Sequence, residues 1–187
     1  MTTYQPYTDF TAQSHNVSAL MRLYAALEDP NSAGPPLVAI VVFTAFSIES
    51  YLNSIGARQI PFWGHVERLP WGQKVDILHI NAKKQADWGR DPLQFAADTF
   101  RLRDRLAHGK PERVLGEEFS DWDDAETHLH GNRLLPDWYK SITSEWVQEA
   151  KERFRLLMEY LGSLYGLHAS DHLHASSGGL LTDTERG

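Results

Sequence analysis

The chain has 187 residues, 42% of them hydrophobic, and no cysteine, so it is long enough to bury one core and excludes disulfide and thiolate–metal frameworks. A formal net charge of −7 argues against a protein that coats nucleic acid, which needs a broad basic face. The opening Met1-Thr2-Thr3-Tyr4-Gln5 lacks the basic start and apolar run of a secretory signal, and the apolar stretch Leu37 to Ile48 is too short to span a bilayer, so a soluble cytoplasmic protein without a membrane role is expected.

Residues 1–13 are polar and predict an irregular start. A first helix is predicted from Ser14 to Glu28, with Val17, Leu20, Met21, Tyr24 and Leu27 on one face. Asp29-Pro30-Asn31-Ser32-Ala33-Gly34-Pro35-Pro36 ends it. A buried helix is predicted from Leu37 to Ala57: its run Leu37 to Ser50 is apolar nearly all round, the mark of a helix buried on every side, and Glu49 is the only charge. Pro61 to Pro70 reads as a connector with one helical turn. Trp71 to Gln85 resumes helical spacing through Val75, Leu78 and Ile80.

Asp91-Pro92 predicts the next helix start, with Asp91 as cap and Pro92 at the first helical position. Leu93, Ala96, Ala97, Phe100, Leu102 and Leu106 then recur at helical spacing, Gly109 suits a left-handed cap, and Pro111 cannot continue the helix. Asp104 and His108 stack on one face, where the carboxylate can hold one imidazole nitrogen. Arg103 shares its face with Ala96, Phe100 and Ala107. Its head therefore needs an acceptor, and Glu49 across packed helices is the expected partner. Residues 99–113 hold an excess of three positive charges, whereas 116–127 hold six acids and no base. A small basic site on an acidic body suits an enzyme that touches few phosphates.

The helix ending Phe100-Arg101-Leu102-Arg103-Asp104-Arg105-Leu106-Ala107-His108-Gly109-Lys110-Pro111 resembles the signature of HEPN domains: an arginine, a following polar residue, and a histidine four to six positions on. Arg103, Asp104 and His108 match it. Arg101 also falls within the spacing but is followed by Leu102. The buried helix ending Ala45-Phe46-Ser47-Ile48-Glu49-Ser50-Tyr51-Leu52-Asn53 looks like the family's second core helix with its acid. The resemblance extends over residues 14–168. It implies an all-α HEPN-like bundle of about five helices, a homodimer with a composite site, and a metal-independent endoribonuclease of the toxin or defence-effector kind, with a possible antitoxin partner. His108 would act as general acid or base on RNA, Arg103 would bind the scissile phosphate, and Asp104 would orient His108, with Glu49 behind them. Arg101, Arg105 and Lys110 would add RNA contacts, although a solvated face is the simpler reading of Arg101 and Arg105. The alternative is a HEPN-like module that binds a nucleotide or partner without cleaving.

Gly109 to Leu135 predicts a long loop or a short hairpin around Arg113-Val114-Leu115, placed as a cover beside the cleft. A last helix is predicted from Pro136 to Leu167, its stripe formed by Ile142, Trp146, Ala150, Phe154, Leu157, Leu161 and Leu164. Residues 169–187 predict a flexible tail. His128 with His130, and His172 with His174, have no third ligand at fixed spacing, so no metal is expected. No glycine-rich phosphate loop is present, so no cofactor is expected either. Trp63, Trp88 and Trp122 are read first as plugs over a small bundle and second as platforms for bases.

Overall fold

The structure is a computed structural model that describes residues 3–29, 35–131 and 133–182. In chain order it runs β1 Tyr4–Asp9, α1 Ala12–Leu27, α2 Leu37–Gln59, a 3-10 turn Trp63–His65, α3 Trp71–Asn81, α4 Leu93–His108, α5 Trp122–Gly131, α6 Asp137–Lys140, α7 Ser144–Ser163, a second 3-10 turn Asp171–Leu173, and β2 Ser177–Thr182. The architecture is an all-α bundle. Five helices have eleven or more residues, and α5, α6 and a two-stranded ribbon are added to them.

α2 is the hub because its sequence offers apolar atoms on all sides. Ile40, Val41, Ala45, Ile48, Leu52 and Ile55 are fully buried, and α1, α3, α4 and α7 all pack against it. The buried Thr44 hydroxyl is satisfied within the helix, donating to the Ile40 carbonyl at 2.7 Å. At 23 residues α2 is longer than the apolar stretch read from sequence. Among the described residues it is the one helix long and apolar enough to cross a bilayer, yet half of its apolar window is buried by the other helices.

α1 presents Val17, Leu20 and Tyr24 to α2, and α7 presents Val147, Ala150, Phe154, Leu157, Met158 and Leu161, both at the spacing of one helical face. Trp63 lies flat on α2 at Gly56, where an added Cβ would come within 2.1 Å of the indole. Trp71 stacks on Phe100 at 4.3 Å and meets Trp88 edge-on at 5.5 Å. Trp63 and Trp88 are plugs, whereas Trp122 is 77% exposed.

Several expectations are corrected. The last helix is not continuous from Pro136 to Leu167: Ser141-Ile142-Thr143 separates α6 from α7, and the Thr143 hydroxyl caps α7 by accepting from the Trp146 amide at 3.1 Å. Residues 122–131 form a helix where a loop or hairpin was predicted, led by Asp123 and Asp124 in a first turn whose backbone dipole favours acids. Asp91 does not cap α4. Its carboxylate pairs with Arg153 at 2.7 Å, and Pro92 precedes the helix.

The ends of the described chain depart furthest from the irregular start and flexible tail expected for 1–13 and 169–187. β1 and β2 pair antiparallel from Tyr4 with Thr182 to Asp9 with Ser177, and the second 3-10 turn docks between α1, α2 and α7. The Asp171 carboxylate accepts from both terminal nitrogens of Arg58, at 2.9 and 2.6 Å, and this bidentate pair holds its carboxyl below the usual carboxylate range. Gln13 Nε2 donates to the carbonyls of Asp171 and His172 at 3.2 and 2.7 Å. His172, expected in solvent, is buried between the edges of Tyr51 and Phe154, and burial pushes its imidazole below the ordinary value. Burial, with the neighbouring Asp171 carboxylate, also pushes the Tyr51 hydroxyl up.

Candidate functional site at the end of α4

α4 is anchored by its first half. Leu93, Phe95, Ala96, Thr99 and Phe100 are buried, and no residue from Arg101 to His108 is. The last two turns therefore project past the core and present a polar surface. The helix stops at Gly109, whose φ of −57° and ψ of 130° are extended, not left-handed as expected. Glycine is required there by a close approach instead: a Cβ at this position would stand 2.5 Å from the Arg105 carbonyl oxygen. Lys110-Pro111-Glu112 continues without regular structure and lines the groove at the helix end.

A groove of about 560 Å³ opens at this end. His108, Asp104, Arg101 and Arg105 line it from α4, Lys110 and Glu112 line it from the following segment, and Trp138 of α6 forms its far wall. Arg101 is held by Asp98 at 2.9 Å. The Arg105 guanidinium lies over the Trp138 ring, 5.9 Å from its centre. The Trp138 indole N–H donates to Glu112 Oε1 at 2.9 Å. Neither Arg105 nor Lys110 has a carboxylate partner among the described residues, so both present donors to the groove. The His108 ring is exposed and makes no hydrogen bond with the described residues.

Two expected contacts at the motif are therefore revised. Asp104 does not hold His108; its Oδ1 forms an ion pair with Arg103 Nη1 at 3.0 Å. Exposed at the helix end, the imidazole competes poorly with an adjacent guanidinium for that carboxylate. Arg103 itself does not line the groove. Its guanidinium lies over Phe100 at 5.1 Å and points to Glu49, with Nη2 to Oε2 at 3.8 Å. The facing of Glu49 and Arg103 across packed helices is present, but it contains a third member. Lys74 of α3 donates to Glu49 Oε1 at 3.0 Å, and its side chain is 2% exposed.

Lys74, Glu112 and Trp138 were missed from sequence. Lys74 stands three residues after Trp71 and four before Leu78, on the buried face of α3, and that spacing was a usable signal. Trp138 faces the end of α4 through tertiary packing that no local pattern reveals. The two histidine pairs do not converge. His128 and His130 are two apart on a helix and diverge, with Phe119 against His128, and no group of three or more metal-ligating side chains is present among the described residues.

The arrangement offers an unrestrained imidazole beside unpaired cations and an aromatic wall, a surface suited to a phosphate-bearing ligand with a planar ring. Comparison with protein-family models, with curated proteins and with solved structures finds no match for this chain.

Proposed function

We propose that the chain is a metal-independent endoribonuclease of the HEPN type, a cytoplasmic toxin or defence effector acting as a homodimer. The observation that carries this reading is that His108 opens into a groove whose other polar groups include Arg105 and Lys110, cations without carboxylate partners. RNA cleavage without metal needs one group to take the proton of the ribose 2′-hydroxyl and another to give a proton to the departing 5′-oxygen. The 2′-oxygen forms the new bond to phosphorus as the bond to the 5′-oxygen breaks, leaving a cyclic phosphate and a free hydroxyl. His108 supplies one of these transfers and the partner subunit's His108 the other, each contributing on the order of 10²–10⁴-fold.

Arg105 and Lys110 are then the nearest phosphate contacts, and Arg101 an outer one. Arg103 acts from behind: it holds Asp104, which lines the groove, and is itself held by Glu49. This differs from the direct phosphate role that the motif implies for Arg103.

The test is incubation of the purified chain with RNA in EDTA, beside His108→Ala and Arg105→Ala. Cleavage that persists in EDTA, disappears in the first variant and falls at least tenfold in the second supports the nuclease. Growth arrest on expression, relieved by His108→Ala, supports a toxin, and co-purification of a neutralising protein an antitoxin. A second reading, a module that binds RNA or a nucleotide without cleaving, is favoured by two observations: no hydrogen bond among the described residues orients the His108 ring, and Arg103 is already paired. Binding without cleavage decides for it.

A further inference from the structure

Among the described residues, Trp138 is the one large aromatic side chain that lines the groove at the end of α4. We propose that its indole is a stacking platform for an unpaired nucleobase, which makes single-stranded RNA, and not duplex, the ligand of this groove. This rests on the nuclease reading for the identity of the ligand.

Local contacts hold this indole. Pro136 caps α6, and the amides of Tyr139 and Lys140 donate back to its carbonyl at 2.9 and 3.0 Å. The Ser141 hydroxyl donates to the Trp138 carbonyl at 2.7 Å. The indole N–H is fixed by Glu112, and Tyr139 meets the ring edge-on at 5.7 Å. α6 has no buried residue, so these local contacts and not the core orient it. Its effect is to hold one aromatic ring in a fixed orientation beside cations.

The chemistry is complementary to a nucleotide. Arg105 lies over the ring and lacks a carboxylate partner among the described residues, so in turning to a phosphate oxygen it opens the indole face to the adjoining base. Lys110 can meet the next phosphate along the strand. A base paired in a duplex has both faces covered by its stacked neighbours and offers none to Trp138. Purines, with the larger ring, should stack better than pyrimidines.

The experiment uses the full chain and 2′-O-methyl RNA oligonucleotides of mixed sequence, which cannot be cleaved, with binding read by anisotropy and by tryptophan fluorescence. The single strand should bind at least tenfold tighter than the same strand annealed to its complement. Trp138→Ala should lose about tenfold in single-strand affinity, Trp138→Phe should restore most of it, and RNA-dependent quenching in wild type should exceed that in Trp138→Phe. Equal affinity for duplex and single strand overturns the proposal. So does unchanged affinity in a Trp138→Ala protein that melts like wild type. Cleavable RNA then separates the two readings: binding through Trp138 with no cleavage removes the nuclease and leaves the platform, and cleavage indifferent to Trp138→Ala does the reverse.

Discussion

Arg103 and His108, five positions apart on one helix, leave it on different sides: the imidazole opens into the groove, and the guanidinium turns back to Glu49, 3.8 Å away. At roughly 100° per residue, five positions place two side chains well apart around the axis. The consequence is a division of labour within a single motif, with one residue facing solvent and the other tying α4 to α2.

That division predicts different phenotypes for the two residues. His108→Ala should leave the melting temperature within about 1 °C of wild type, as an exposed side chain without hydrogen bonds is expected to contribute little. Arg103→Ala should cost about 1–2 kcal/mol, since it removes the stack on Phe100 and the contacts to Glu49 and Asp104. Thermal melts of the two variants in parallel check this, and a larger loss in His108→Ala would contradict it.

Glu49 should matter more to folding than Lys74. Glu49→Gln leaves the ammonium of Lys74 buried, its side chain 2% exposed, without a counter-charge. A loss on the order of 3 kcal/mol follows, or roughly 6–12 °C in a chain of this size. Lys74→Met removes the buried charge and leaves Glu49, 35% exposed, to water and Arg103, so its loss should stay near 1 kcal/mol. Denaturant titrations of both variants give the order directly.

Stability should fall as pH drops below about 6.5, and His172 should be a principal cause. Burial keeps its imidazole neutral in the folded chain by pushing it below the ordinary 6.5, against the opposing pull of Glu159 and Asp171. Between 6.5 and the lowered folded value, the unfolded chain binds a proton that the folded chain does not, and folding weakens as pH falls through that window. Asp171 acts at lower pH: its contribution is complete above the ordinary 3.8 and is lost as pH falls through its lowered folded value. Melting curves from pH 7.5 to 5.5 should show a flatter dependence in His172→Phe than in wild type, and identical slopes would refute the assignment.

Gly56→Ala should be among the most disruptive single substitutions. The new methyl group would overlap the Trp63 ring at 2.1 Å, and Trp63 is 3% exposed with nowhere to retreat. A loss of about 3 kcal/mol or more is expected from overpacking, with red-shifted tryptophan emission as the indole moves toward water.

How much of this was legible depended on whether the signal was periodic. α2 and the buried half of α4 declared themselves through apolar spacing, and Glu49 stood out as the single charge of a segment apolar all round. The end of α4 was readable from Gly109 and Pro111, though the glycine serves a close carbonyl and not a left-handed turn. The ribbon was illegible because every β1 residue is exposed, so no face alternates, and β2 begins Ser177-Gly178-Gly179. Trp138 reaches the groove only by tertiary routing.

α6 is a separate turn and not the opening of α7, and none of its residues belongs to the buried core. The wall that faces α4 is thus carried on an outrigger, fastened by hydrogen bonds and ring contacts and not by the core. Ligand preference and thermal robustness are consequently independent traits in this fold: the outrigger can be recut residue by residue while the bundle beneath keeps its melting point.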